Sequence, residues 1–201
     1  MTEPFPRGIR YGPAEREAVL ALMDTGRLSE TGCGPATSAL EDAYASFVGT
    51  TRHALSFNSG TASLHAALHA VEVGPERGVA AAPMTWISAL TAIFQAGSYP
   101  VFCDVEPSSP NISPGSAAAV AAECAAVLGT HAWGIPARVD ELVRDCSLPL
   151  VEDCSHAHGA VHAGRPVGSW GVAGCFSLQE SKAVSGGEGG VLTTSDRAVY
   201  E

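Results

Sequence analysis

The sequence predicts an α/β fold in which helices cover both faces of a mostly parallel sheet. Short apolar segments, typical of buried strands, alternate with segments of helical periodicity between residues 53 and 194. Strands that are buried on both faces and separated by helices favour parallel pairing. The 201 residues are 46% hydrophobic and only 16% charged, so the chain can bury a core and does not have a disordered composition.

The predicted elements follow one another with clear breaks. A helix at 13–25 stops at Gly26, and a second amphipathic helix follows at 37–48. The first strand breaks at Ser59-Gly60, the next one ends at Pro83, and the third ends in the segment EPSSP. The predicted strands are 53–58, 79–82, 100–104, 126–129, 148–152, 172–177 and 191–194. The predicted helices between them are 61–71, 86–96, 117–123 and 139–146.

Charge and composition argue against several classes of protein. The 11 basic and 21 acidic residues give a net charge of −10, which disfavours a nucleic-acid partner but leaves room for a small anionic ligand. We find no apolar stretch of about 18 residues and no apolar segment after the first charges, so we expect neither a membrane span nor a secretory signal. The six cysteines form no C-x-x-C pair, which predicts reduced thiols in a cytoplasmic protein and no zinc site.

Polar and aromatic residues follow the predicted strands, where ligands bind in open α/β sheets. These positions hold the turn Ser59-Gly60-Thr61, then Trp86, Asp153, Ser177 and, a few residues later, Lys182. Each has a structural alternative, since the turn and Asp153 could simply cap helices and Lys182 could be solvated. Together they supply a phosphate cradle, a flat aromatic, a carboxylate and a lysine, which are the parts that a pyridoxal phosphate (PLP) site needs.

Several longer segments resemble one known family. They are SFNSGTASLHAAL, APMTWISALTAIFQAG, PVFCDVEP, GTHAWGIPARVDEL, VEDCSHAHGA and GCFSLQESKAVSGGEGGVLTT, in family order between residues 34 and 194. The chain thus resembles the DegT/DnrJ/StrS-type sugar aminotransferases, which have the fold-type I PLP-dependent transferase architecture. The resemblance implies an N-terminal helical segment at 1–33 and a PLP-binding large domain at 34–201, without the small C-terminal domain that follows in the family. Residues 195–201 read as a cap and a single helical turn, so we expect a chain that is cut short.

The resemblance also assigns roles to residues. Lys182 falls on the lysine that forms a Schiff base with the cofactor and later moves a proton, and Asp153 falls on the carboxylate that pairs with the pyridine nitrogen. Trp86 falls on the aromatic that stacks on the cofactor ring, and His156 falls beside that ring, near its hydroxyl. Glu188 is expected to have a structural or substrate-side role. The residues implied for cofactor phosphate binding are Gly60, Thr61, Ala62 and Ser177.

The implied function is transfer of an amino group from glutamate or glutamine to a keto sugar nucleotide or a keto cyclitol, by a homodimer. A retained Lys182 favours amino transfer over the dehydration that some relatives catalyse, and the Gln179 variant is reminiscent of aminocyclitol-forming members. Two alternatives stay open. One is an inactive or regulatory fragment of such an enzyme, and the other is a metal-dependent hydrolase that uses the histidines of the segment DCSHAHGAVH, namely His156, His158 and His162.

Overall fold

The computed structural model describes residues 11–27, 29, 34–49 and 53–201. The chain divides into two compact units, residues 1–38 and 39–201. The first unit holds helix α1 (Pro13–Asp24), which begins at a proline that needs no N–H partner, and whose Glu15 side chain accepts a hydrogen bond from the Gly12 N–H at 2.7 Å. No residue of α1 is buried. Cys33 lies outside the described residues, and the predicted division at 33/34 stays a prediction.

The second unit contains a seven-stranded sheet and a separate two-stranded one. The strands are β1 (His53–Phe57), β2 (Gly78–Ala81), β3 (Pro100–Phe102), β4 (Cys124–Thr130), β5 (Leu150–Asp153), β6 (Val161–His162), β7 (Arg165–Pro166), β8 (Ala173–Ser177) and β9 (Gly190–Thr194). The helices are α2 (Pro35–Val48), which starts in the first unit, α3 (Gly60–Ala70), α4 (Ile87–Gln95), α5 (Pro114–Ala119), α6 (Val139–Cys146) and α7 (Arg197–Tyr200).

The large sheet is mostly parallel, as predicted. Its strand order is β1-β9-β8-β5-β4-β2-β3, and the five strands from β8 to β3 pair in parallel. β9 runs against both of its neighbours, β8 and β1, which the sequence pattern did not predict. The small β6–β7 hairpin was not predicted either.

Alternate residues of the central strands face two separate cores. Val79 and Leu128 belong to the core formed with α3 and α4, which contains Leu68 and Ile93. Their neighbours Ala80 and Val127 belong to the opposite core, which contains Leu142 of α6 and Ala117 of α5. Successive strand side chains point to opposite faces, so these strands must be apolar throughout, and this is why they appear in the sequence as unbroken apolar runs.

Most predicted elements are confirmed, with some shifted ends. Helix 139–146 is observed with the predicted bounds, and the strand predicted at 148–152 lies at 150–153. The helix predicted at 117–123 is wrong in its bounds, because α5 begins at Pro114, right after Ser113, and ends before Val120. Residues 121–123 form a separate 3₁₀ turn. The strand predicted at 100–104 ends at Phe102.

The topology brings the strand ends of interest to one edge. Thr130 at the end of β4 lies beside Asp153 at the end of β5, and Asp153 lies beside Cys175 of β8. β1 is antiparallel to β9 and therefore parallel to β8, so the start of α3, which follows β1, reaches the same edge. Within the described ranges, no helix combines the length and apolarity needed to span a membrane. The described cysteines, Cys103, Cys124, Cys146, Cys154 and Cys175, are buried free thiols.

Candidate active site

A cavity of about 620 Å³ opens at this carboxyl edge of the sheet. It is lined by seven of the eight predicted site residues, Gly60, Thr61, Trp86, Asp153, His156, Ser177 and Lys182. Glu188, from the glycine-rich segment 186–190, lines it as well. The eighth predicted residue, Ala62, does not line the cavity. The parallel strand ends thus bring together residues that are more than 120 positions apart in the sequence.

The first turn of α3 forms one wall of the cavity. Ser59 caps this helix, since its Oγ accepts a hydrogen bond from the Ala62 N–H at 3.1 Å. This contact explains why Ala62 serves the helix start rather than the cavity. A Cβ atom on Gly60 would come within 2.8 Å of the Ser177 Cβ, so only glycine lets the start of α3 approach the end of β8 so closely. Helix N-termini with free N–H groups attract anions.

A carboxylate and an amine face the same cavity from two loops. Asp153 is 4% exposed, and its Oδ1 accepts a hydrogen bond from the Ser155 N–H at 3.1 Å. Lys182 is half-buried in the loop after β8, where its N–H donates to the Gln179 carbonyl at 2.9 Å. Burial lowers the pKa of the Lys182 ammonium, and the negative charge of Asp153 opposes that shift. The amine is therefore more readily deprotonated than that of an exposed lysine.

The loop that carries Lys182 is ordered by its own hydrogen bonds. The Gln179 Oε1 accepts from the Ser181 N–H at 2.7 Å and from the Ser181 hydroxyl at 2.6 Å. The glycine segment folds back on this loop, since the Glu180 N–H donates to the Gly187 carbonyl and the Gly186 N–H donates to the Leu178 carbonyl. The glycine run is therefore a paired part of the site rather than a linker.

His156 lies in the cavity as a neutral ring. Its Nδ1 is 3.4 Å from the Trp133 N–H, which makes this nitrogen the acceptor. Burial and the positive charge of Lys182 lower the pKa of His156, against an opposing effect of Asp153. The imidazole is thus held as an uncharged hydrogen-bonding group next to the amine.

Two indole rings line the cavity, and the sequence predicted only one of them. Trp86 directly precedes α4 and is 66% exposed. Trp133 follows β4 and is 70% exposed. Thr85 and Thr130 also line the cavity, with their hydroxyl oxygens 3.1 Å apart. Thr130 ends the parallel strand β4, so the strand-end rule that found Asp153 would also have found Thr130, whereas Trp133 lies three residues beyond the strand.

The histidines proposed for a metal hydrolase do not converge. The His162 Nε2 is 2.5 Å from the Asp140 Oδ1, and the His158 ring packs against Tyr44 and Phe176. Across the described part of the chain, the one group with metal-ligand geometry is His131, Glu152 and Cys154, which contains none of the three. The Glu152 carboxylate there already accepts several N–H hydrogen bonds, so it is an internal structural group. The metal-site alternative is wrong for these histidines.

A mixed sheet with helices on both faces and a cavity at its carboxyl edge is the architecture of the fold-type I PLP-dependent aminotransferases, and solved structures bear this out. An aminotransferase from Psychrobacter cryohalolentis is 30% identical, with a TM-score of 0.87 over 98% of this chain and 50% of that one. The structure of 3-amino-5-hydroxybenzoic acid synthase is 32% identical, with a TM-score of 0.88 over 96% of this chain and 51% of that one.

The chain belongs to the DegT/DnrJ/EryC1/StrS aminotransferase family, whose profile matches residues 10–201. Enzymes of this family depend on PLP. The L-glutamine:2-deoxy-scyllo-inosose aminotransferase of Streptomyces lividus is 36% identical over 97% of this chain and 48% of its own length. The L-glutamine:scyllo-inosose aminotransferase of Streptomyces griseus is 39% identical over 78% of this chain and 38% of its own. The chain spans half or less of the curated relatives it matches.

Proposed function

We propose that this protein is a PLP-dependent aminotransferase that moves an amino group from L-glutamine to a keto cyclitol. One observation carries the proposal: three groups line a single cavity. They are Lys182, whose pKa is lowered, the buried carboxylate of Asp153, and the N-terminus of α3, where Gly60 allows close approach. The substrate class is supported by the inosose aminotransferases among the relatives. A keto sugar is the second candidate acceptor, since DesI, whose crystal structure was solved in the presence of its TDP-sugar product, is 35% identical to this chain.

The residues around the cavity fit the cofactor. The start of α3 at Gly60 and Thr61, with the Ser177 hydroxyl opposite, would hold the phosphate, since α3 and β8 approach there without an intervening side chain. Asp153 is a buried carboxylate that would keep a proton on the pyridine nitrogen, and Trp86 offers a flat ring face. Ala62 is left with its role in the helix cap.

The chemistry divides between cofactor and protein. When bound, PLP acts as an electron sink for the carbon that exchanges the amino group. Lys182 would hold the cofactor aldehyde covalently and, once released, would carry a proton to and from that carbon, for which a lowered pKa is suited. The neutral His156 imidazole would hydrogen-bond the ring hydroxyl. We further propose a homodimer in the cytoplasm, for which the family resemblance is the support.

The sequence makes the decisive experiment clean, because Lys182 is the only lysine among the 201 residues. The protein is incubated with PLP and reduced with borohydride, and the labelled peptide is identified by mass spectrometry. We expect the label on Lys182 and its loss in Lys182→Ala, with Lys182→Arg as the control that keeps the charge. A Lys182→Ala protein that still carries the label on an internal residue would overturn the proposal.

A second variant tests the electron-sink role of Asp153. Asp153→Asn should keep the reducible label on Lys182 but lose amino transfer from L-glutamine to scyllo-inosose. Full transfer by Asp153→Asn would contradict the role of its carboxylate. Because labelling and transfer are measured separately, a failure to bind the cofactor is distinguished from a failure of the reaction.

A further inference from the structure

The turn after β4 holds an aromatic residue in an unusual conformation. Trp133 has φ 53° and ψ 26°, in the left-handed region that residues other than glycine seldom adopt. A bulky side chain in this region is strained, and such strain persists only where the surrounding structure holds it. The residue that follows is Gly134, at φ 83°, so the chain makes two successive left-handed steps at the edge of the cavity.

Buried polar groups hold this turn on both sides. Asn111 is 1% exposed; its Oδ1 accepts from the Ala132 N–H at 3.0 Å, and its Nδ2 donates to the Ile135 carbonyl at 2.9 Å. The Nδ1 of buried His131 accepts from the Ala137 N–H at 2.9 Å. The backbone on either side of Trp133 is therefore fixed by side chains that belong to the core.

The exposed indole ring contributes little to the stability of the fold. It is 70% exposed, whereas an aromatic side chain stabilises a fold mainly through the area it buries. It lines the same cavity as Lys182 and Asp153. The strained backbone at Trp133 costs stability, and the exposed ring buries too little area to offset that cost. This combination, in a cavity that also contains Lys182, indicates that the ring serves to bind a ligand.

We propose that Trp133 is the platform on which the ring of the amino acceptor packs, an inference that rests on the proposed function. A six-membered ring with equatorial hydroxyls has axial C–H bonds on both faces, so its faces are apolar and its rim is polar. The indole face matches such a ring face. Thr85 and Thr130, whose hydroxyl oxygens are 3.1 Å apart, line the same cavity and would supply polar partners for the rim. L-Glutamine has no such face, so Trp133 distinguishes the acceptor from the donor.

The test compares donor and acceptor kinetics and a separate binding measurement. Trp133→Ala removes the ring, Trp133→Gly removes it while relieving the strain at positive φ, and Trp133→Phe keeps an aromatic face. Ile135→Ala is the matched control, since its exposed side chain is on the same turn but does not line the cavity. The PLP-loaded protein is assayed with L-glutamine and scyllo-inosose. Binding of the unreactive ring scyllo-inositol is followed by saturation-transfer NMR of its C–H protons.

We expect the KM for scyllo-inosose to rise about tenfold in Trp133→Ala and Trp133→Gly and less in Trp133→Phe, with the KM for L-glutamine unchanged. The scyllo-inositol signal should disappear in the first two variants and persist in Ile135→Ala. Unchanged acceptor KM and NMR signal in Trp133→Gly would overturn the inference. Binding of scyllo-inositol through Trp133 in a protein that transfers no amino group would instead overturn the proposed function and support the inference.

Discussion

Replacing Glu152 with glutamine should destabilise the protein strongly, although the two side chains have nearly the same shape. Glu152 is fully buried at the end of β5, next to Asp153. Its Oε1 accepts from the N–H groups of Trp170 at 2.7 Å and Gly171 at 2.8 Å. Its Oε2 accepts from the Gly168 N–H at 2.9 Å and lies 3.1 Å from the His131 Nε2. Both carboxylate oxygens therefore face donors.

His131 supplies the fourth hydrogen-bond donor to the Glu152 carboxylate. Its Nδ1 accepts from the Ala137 N–H, so its Nε2 carries the hydrogen and donates to Glu152. Glutamine offers one oxygen and one NH₂ group, and in either orientation the NH₂ group meets two donors. Each buried donor left without an acceptor costs about 1–3 kcal/mol, so we expect Glu152→Gln to lower the free energy of unfolding by about 2–6 kcal/mol.

Urea denaturation followed by circular dichroism measures this loss as a lower midpoint at an unchanged slope. Glu76→Gln is the control, because Glu76 is exposed and should change the free energy of unfolding by no more than about 0.5 kcal/mol. A loss below about 1 kcal/mol in Glu152→Gln would refute the hydrogen-bond assignment around this carboxylate.

Two further changes test other parts of the core. Burial and the charge of Lys182 lower the pKa of His158 to about 4, so between pH 6.5 and 4 the unfolded chain binds the extra proton and stability falls as the pH falls. Between pH 7 and 4, the free energy of unfolding of His158→Phe should fall by about 2 kcal/mol less than that of the wild type, after allowance for the partial exposure of the histidine. Urea titrations at each pH measure the two losses, and equal losses would contradict the lowered pKa of His158. Gly171→Ala should prevent folding or lower the melting temperature sharply, since its Cβ would lie 2.1 Å from the Leu150 carbonyl oxygen. Gly74→Ala is the control: a Cβ there would have no atom within 4 Å, so this variant should have the melting temperature of the wild type. Equal melting temperatures for Gly171→Ala and Gly74→Ala would contradict the predicted clash with Leu150.

Much of the candidate site could be predicted because it depends on a local rule. Parallel strands end at one edge of a sheet, so polar residues directly after apolar runs are brought together whatever the order of the strands. This is why Gly60, Asp153 and Ser177 were found from the sequence and line one cavity in the structure. The buried strands were found for a similar reason, because burial on both faces leaves an apolar run that has few other interpretations.

The same reasoning missed residues whose role depends on distant partners. Trp133 reads as an ordinary loop aromatic until Asn111, 22 positions earlier, is seen to hold its turn. His158 reads as a metal ligand beside His156 until its ring is seen packed against Tyr44 and Phe176. In both cases the deciding contact joins segments that no periodicity connects.

The alternation of strands and helices, the apolar faces and the polar residues at the strand ends can all be read from the amino-acid sequence, since they follow from the chemistry of neighbouring residues. The antiparallel entry of β9 between β1 and β8, and the hydrogen bond between Glu152 and His131 in the core, became visible in the folded chain alone. Several segments of the chain could pair with the same sheet edge or accept from the same buried donors. The direction of a strand and the partner of a buried polar group therefore depend on which of these segments pairs there in the folded protein. Because these segments are far apart in the sequence, neither the direction of β9 nor the pairing of Glu152 with His131 can be predicted from neighbouring residues.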